Sequence, residues 1–159
     1  MPALSKNERR NIDEYISGYI DGEGCFSVSF SKCNRLVVGW ETKPSFSVSQ
    51  NEDRAEVLYL LQKKFNGGFI RRDYSDKTLK YEIRSLPILT NSVIPHFKKF
   101  PLLSSKHQDY LLFEKICKLM AKGIHTSKGG FRKILPLAFM MNPSGKRKYT
   151  SKEILSSLR

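Results

Sequence analysis

The chain has 159 residues, enough for one domain with a core that folds unaided, and Lys plus Arg outnumber Asp plus Glu by 28 to 15. The resulting charge of +13 points to a polyanion, most simply nucleic acid, with an anionic membrane surface as the bland competitor. No apolar run approaches the ~18 residues that span a bilayer, and the polar stretch Met1 to Arg10 does not read as a secretory signal peptide.

Cys25, Cys33 and Cys117 are odd in number and lack the paired spacing of a zinc site, while His96, His107 and His125 are scattered. All six read as ordinary residues of a reducing compartment. The first element is a helix: Ile12, Tyr15, Ile16, Tyr19 and Ile20 fall at i, i+3, i+4, i+7 and i+8, an amphipathic stripe. Gly18 and Gly22 line up on another face, where the missing Cβ atoms would admit a second backbone, a rule best documented in membranes. Asp21-Gly22-Glu23-Gly24 should end the helix. Two acids at the negative end of a helix dipole are badly placed for stability, so a bound cation is the natural reason for them.

The period then changes. Phe26, Val28 and Phe30 alternate with Ser27, Ser29 and Ser31 in a half-buried strand from Cys25 to Cys33. After a turn-like Lys32 to Gly39, in which Leu36-Val37-Val38 is a candidate to pair back, a second strand runs from Trp40 to Gln50 with Ser45, Ser47 and Ser49 on its open face. Serine can donate to or accept from bases and phosphates alike. A helix is expected over Arg54–Phe65 after the acid-rich Asn51-Glu52-Asp53, then a hairpin of Phe69–Tyr74 and Leu79–Ser85. Its second strand should turn Tyr81 and Ile83 inward and Lys80, Glu82 and Arg84 outward; for Phe69, Arg71 and Asp73 the facing side stays open. Helices follow over Leu86–Phe97, Lys106–Lys122, Phe131–Met141 and, briefly, Lys152–Leu158. The fold class is therefore α+β: an αββαββα core with a four-stranded antiparallel sheet and a C-terminal helical extension. From Lys115 to Lys152 there is no acid but ten Lys or Arg, and Lys146-Arg147-Lys148-Tyr149-Thr150 forms a basic loop suited to phosphates.

The stretch Ile16-Ser17-Gly18-Tyr19-Ile20-Asp21-Gly22-Glu23-Gly24 resembles, across all nine positions, the signature of the LAGLIDADG homing endonucleases. Ile16 and Ser17 stand for its leading Leu-Ala, Tyr19 and Ile20 for Leu-Ile, and Glu23 for the second Asp. The resemblance implies one domain over 1–159 whose sheet forms a saddle on double-stranded DNA, and it implies Mg²⁺-dependent hydrolysis leaving short 3′ overhangs. Mn²⁺ as a substitute and Ca²⁺ as an ion that supports binding without cleavage belong to the same expectation.

On this resemblance Glu23 binds the metal with the backbone carbonyl of Gly22, and Asp21 gives structural support. Gln50 would orient a water, Arg54 would organise its network, and Lys106, with His107 as a fallback, would steady the phosphate. DNA contacts are expected from Ser27, Ser29, Ser31, Cys33, Arg35, Ser47, Ser49, Arg71, Asp73, Lys80, Glu82 and Arg84 on the sheet and its loop. Lys146, Arg147, Lys148 and Thr150 would touch the backbone. One motif supplies one acid, so two copies should meet as a homodimer through Ser17, Gly18, Asp21 and Gly22, over a near-palindromic target. Family habit places such proteins in an organelle or a prokaryotic cytoplasm. An RNA-binding intron maturase, a non-cleaving DNA-binding protein of the same fold and a basic membrane-surface protein remain as alternatives.

Overall fold

The computed structural model describes residues 3–159. Ser5 opens the first helix, α1 (Lys6–Glu23), with a reciprocal capping box: its hydroxyl accepts from the Glu8 N–H while the Glu8 carboxylate accepts from the Ser5 N–H. The chain continues through β1 (Gly24–Lys32), β2 (Trp40–Asn51), α2 (Glu56–Phe65), β3 (Phe69–Asp73) and β4 (Thr78–Ile83). Then come α3 (Leu86–Ile88), a π-helical stretch at Leu89–Val93, α4 (Ile94–Lys99), α5 (Lys106–Ala121), α6 (Lys128–Phe139) and α7 (Ser151–Ser156). This is the αββαββα order with a helical extension, as the periodicities predict.

The four strands form one antiparallel sheet in the order β1-β2-β4-β3. Phe26 pairs with Phe46 and Phe46 with Ile83, which puts the even-numbered apolar residues of β1 and β2 on one face with Tyr81 and Ile83. Helices cover that face. Phe26 touches Phe46, Phe97, Tyr110 and Phe113 at ring separations of 5.3–5.6 Å, so α4 and α5 close directly onto the middle of the sheet. The opposite face carries the serines.

Local differences from the sequence reading have local causes. Leu36–Val38 does not form a strand: Leu36 N–H donates to Cys33 and Gly39 N–H to Leu36, a tight turn that buries Val38 and leaves Val37 83% exposed. The acids at Glu52 and Asp53 start a 3₁₀ turn, Glu52–Arg54, rather than α2 itself. Helix α6 begins three residues early because Ser127 caps it, accepting from the Gly130 N–H. Tyr15 lies outside the stripe at 54% exposure, and Ser17 takes a buried place on α1 instead.

Candidate active site and nucleic-acid interface

The last turn of α1 carries no basic residue, and Gly24 closes it by donating its N–H to the Ile20 carbonyl. Glycine is required there for room: a Cβ on Gly24 would lie 2.5 Å from Ile20 Cγ2. Glu23 is exposed and enters no ion pair among the described residues. Two elements converge on this turn. Lys106, at the start of α5, donates from Nζ to the Ile20 carbonyl at 3.0 Å. Gln50, near the end of β2, donates its amide to the Tyr19 hydroxyl, and its Oε1 accepts from Asn51 N–H at 2.9 Å.

Asp21 explains how Lys106 arrives. Its carboxylate accepts the N–H groups of Leu103 and Ser104, at 2.9 and 3.0 Å, and the Ser104 hydroxyl. Partial burial works against the charge, but these hydrogen bonds and the nearby Lys106 hold the carboxyl below its ordinary pKa. The acid on α1 thus clamps the segment leading into α5, while Lys106 of α5 returns to α1. Asp21 is engaged within its own protomer. So is Ser17: it is 6% exposed, donates to the Phe100 carbonyl at 2.6 Å and lies 3.1 Å from His96 Nε2. Arg54 is exposed and pairs with Asp53 at 3.7 Å.

The register settles the open face of the sheet. Ser49 pairs with Lys80 and Lys80 with Arg71; Cys25 pairs with Ser47, Ser47 with Glu82 and Glu82 with Phe69. Arg71 and Asp73 therefore lie on the same face as the serines. Lys80 and Lys106 both act on Cys25, where burial outweighs their charges and raises the thiol pKa. Positive charge consequently sits close to where α1 hands over to β1. Three side chains on this face are less available than their sequence positions imply, and the first, Ser47, is 7% exposed between β1 and β4. Glu82 is 3% exposed and held by Ser45 and Arg84, and the Asp73 carboxylate is occupied by Ser75 N–H and hydroxyl.

The basic loop divides by role. Arg147 donates to the carbonyls of Val28, at 2.8 Å, and Ala138, and its guanidinium covers the Phe139 ring at 4.5 Å. Burial lowers its pKa, and its guanidinium staples the edge strand β1 to the end of α6. Thr150 is spent as well, capping α7 in a box with Glu153. Lys146 and Lys148 stay exposed. They border a shallow groove of about 180 Å³ that also reaches Ser27 and Ser29, so loop cations and strand hydroxyls share one surface.

The family model described as LAGLIDADG endonuclease matches residues 16–117. The chain belongs to that family. It is 34% identical over 122 residues to "Probable intron-encoded endonuclease 2" of Neurospora crassa, a match covering 76% of this chain and 27% of that protein. The chain spans about a quarter of the length of this and other curated relatives that it matches. Among solved structures, the archaeal intron-encoded homing endonuclease I-Vdi141I, complexed with DNA, superimposes with a TM-score of 0.86 at 26% identity, over 94% of this chain and 95% of that one. I-SmaMI, bound to uncleaved DNA target in the presence of calcium ions, gives 0.82 at 32% identity, over 91% of this chain and 48% of that one.

Within this LAGLIDADG domain the exposed side of α1 is open. A Cβ on Gly18 or Gly22 would meet no atom within 4 Å, and a groove of about 940 Å³ beside the helix is lined by Arg10, Asp13, Glu14, Gly18 and Asp21 among others. Sequence reasoning missed Tyr19, which it placed in the core stripe. Its hydroxyl holds Gln50, and only the fold brings β2 to that turn.

Proposed function

We propose that this chain is a site-specific, Mg²⁺-dependent DNA endonuclease of the homing class that acts as a homodimer on a near-palindromic duplex and leaves short 3′ overhangs. The observation that carries the reading is the end of α1, where an unpaired exposed carboxylate stands beside a lysine and a held glutamine. No cluster of three or more His, Cys, Asp or Glu exists among the described residues, so a metal held by protein ligands alone does not fit. A hard cation that needs one carboxylate, a helix-end carbonyl such as that of Gly22, and substrate oxygens does fit. When bound, Mg²⁺ supplies an activated water and stabilises charge on phosphate oxygens.

The chain's own groups do the rest. Lys106 holds positive charge beside the site of developing negative charge, and Asp21 keeps its approach fixed. Gln50, oriented by Tyr19, offers its amide for positioning a water. Ser27, Ser29, Ser31, Cys33, Arg35, Ser49, Arg71, Lys80 and Arg84 meet the grooves, and Lys146 and Lys148 meet phosphates. One Glu23 per chain serves one strand, so two copies joined at the glycine face of α1 serve both. The half-length match to I-SmaMI and the full-length match to I-Vdi141I support a unit that works in pairs. Mn²⁺ replaces Mg²⁺ and Ca²⁺ permits binding alone; an organelle or prokaryotic cytoplasm is the compartment.

The test is a plasmid carrying the DNA that flanks this reading frame, rejoined without the insertion. Linear product should form with Mg²⁺ and disappear with a chelator. Retention of supercoiled plasmid under Mg²⁺ and Mn²⁺, with the protein bound to it, would leave a DNA-binding domain without the nuclease.

A further inference from the structure

Glu82 is an acid on a surface that should meet a polyanion. It is 3% exposed, with Ser45 and Ser47 buried beside it, although Phe69, its partner on β3, is 41% exposed. Ser45 Oγ donates to its Oε1 at 2.7 Å, Arg84 Nε lies 3.1 Å from the same oxygen, and Arg71 Nη2 lies 3.8 Å from Oε2. That second oxygen is buried and makes no hydrogen bond. Both arginines stay about half exposed, at 47% for Arg71 and 57% for Arg84, and Arg84 rests over the Phe69 ring at 5.9 Å. Burial works against the Glu82 charge, yet the hydrogen bonds from Ser45 and Arg84, with the charges of Lys80 and Arg84, keep its pKa below the ordinary value.

A carboxylate here weakens attraction for phosphates, so its benefit must lie elsewhere. A free arginine has wide rotamer freedom, whereas one gripped at Nε points its two terminal nitrogens in a fixed direction. Those nitrogens match the O6 and N7 acceptors of guanine in the major groove. Arg71 stands one short movement from the unpaired oxygen, so docking can complete the second grip. We propose that Glu82 is a positioning residue that fixes Arg84, and on docking Arg71, as guanine readers, so that each half of the target carries G·C pairs facing these two arginines. This rests on the reading of the sheet as a DNA surface. Glu82 then trades non-specific affinity for discrimination.

The test selects duplexes from a randomised library in Ca²⁺, using the full chain as wild type, Arg71→Ala, Arg84→Ala and Glu82→Gln. The same proteins are titrated with a scrambled duplex. Wild type should enrich guanine at two positions per half-site, and each arginine variant should lose one of them by about tenfold or more. Glu82→Gln should weaken both preferences and bind the scrambled duplex more tightly. A merely structural role would lower specific and non-specific binding together. Unfolding midpoints accompany each titration; should Glu82→Gln not fold, Ser45→Ala, which removes the hydroxyl that holds Glu82, must erode the same two preferences. Unchanged guanine enrichment by Glu82→Gln, or equal loss on all duplexes, overturns the inference. A wild-type site without arginine-dependent guanines overturns it while leaving DNA recognition intact, and a wild type that enriches no sequence overturns both.

Discussion

Arg147 and its neighbours Lys146 and Lys148 carry the same charge and do different things. Arg147→Met would strand the Val28 and Ala138 carbonyls and should cost about 1–3 kcal/mol of stability, read as a shifted denaturant midpoint. Lys146→Ala or Lys148→Ala should leave the midpoint within about 0.5 kcal/mol while lowering DNA affinity on every sequence and reducing the salt slope by about 1. The reverse pattern would show the roles to be exchanged. The sequence offers three adjacent cations without telling them apart, because the partner that decides the matter, Val28, lies 119 positions away. The same holds at Glu82, whose shielding comes from Ser45, 37 positions away. His96 is a further case. It read as a scattered histidine, yet it is 6% exposed, and burial with the nearby Lys64 charge pushes its pKa down to about 4, against the pull of Asp13. The unfolded chain takes up this proton below about pH 6.5 and the folded chain only near pH 4, so stability should fall by roughly 3 kcal/mol as pH drops through that window. Denaturant melts at pH 7, 5.5 and 4.5 should show the loss and His96→Gln should flatten it; wild-type stability constant over that range would mean His96 does not stay neutral in the fold.

At the scale of elements, α1 presents two different faces. Ile16 and Ile20 are fully buried, while Gly18 and Gly22 look onto open space. Gly18→Leu should therefore leave the protomer folded, since it improves helix propensity by about 0.5–1 kcal/mol and meets nothing within the chain. It should instead break the pairing of two helices and abolish double-strand cutting. Sedimentation at micromolar concentration is the measurement: dimer for wild type and folded monomer for the variant. A wild-type monomer that still cuts both strands contradicts the pairing. Gly130→Ala is the contrasting control, because its Cβ would meet the Ile124 carbonyl oxygen at 1.7 Å and the fold itself should suffer. Elements were legible wherever one face meets a core, since burial imposes a period of 3.6 or 2. Legibility ended where a tertiary partner decides: the facing side of β3 follows from the pairing of Arg71 with Lys80, not from its own composition. It also ended at caps such as Ser127, and in the turn at Leu36–Val38, where three apolar residues read as a strand.

For the whole molecule, +13 of charge would draw it to DNA without cutting it; in the function proposed above, cutting rests on one carboxylate at the end of one helix. Two such carboxylates brought near two phosphates repel them when no metal is present. Glu23→Gln keeps the side chain's shape and removes that charge. The deciding measurement pairs a mobility shift in Ca²⁺ or chelator with a cleavage assay in Mg²⁺, using wild type and Glu23→Gln on one duplex. The variant should bind in chelator as tightly as wild type or slightly more so, and its cleavage should fall by orders of magnitude. Normal cutting by Glu23→Gln would contradict the site at the end of α1, and loss of binding together with cutting would make Glu23 a residue of the fold or the interface instead.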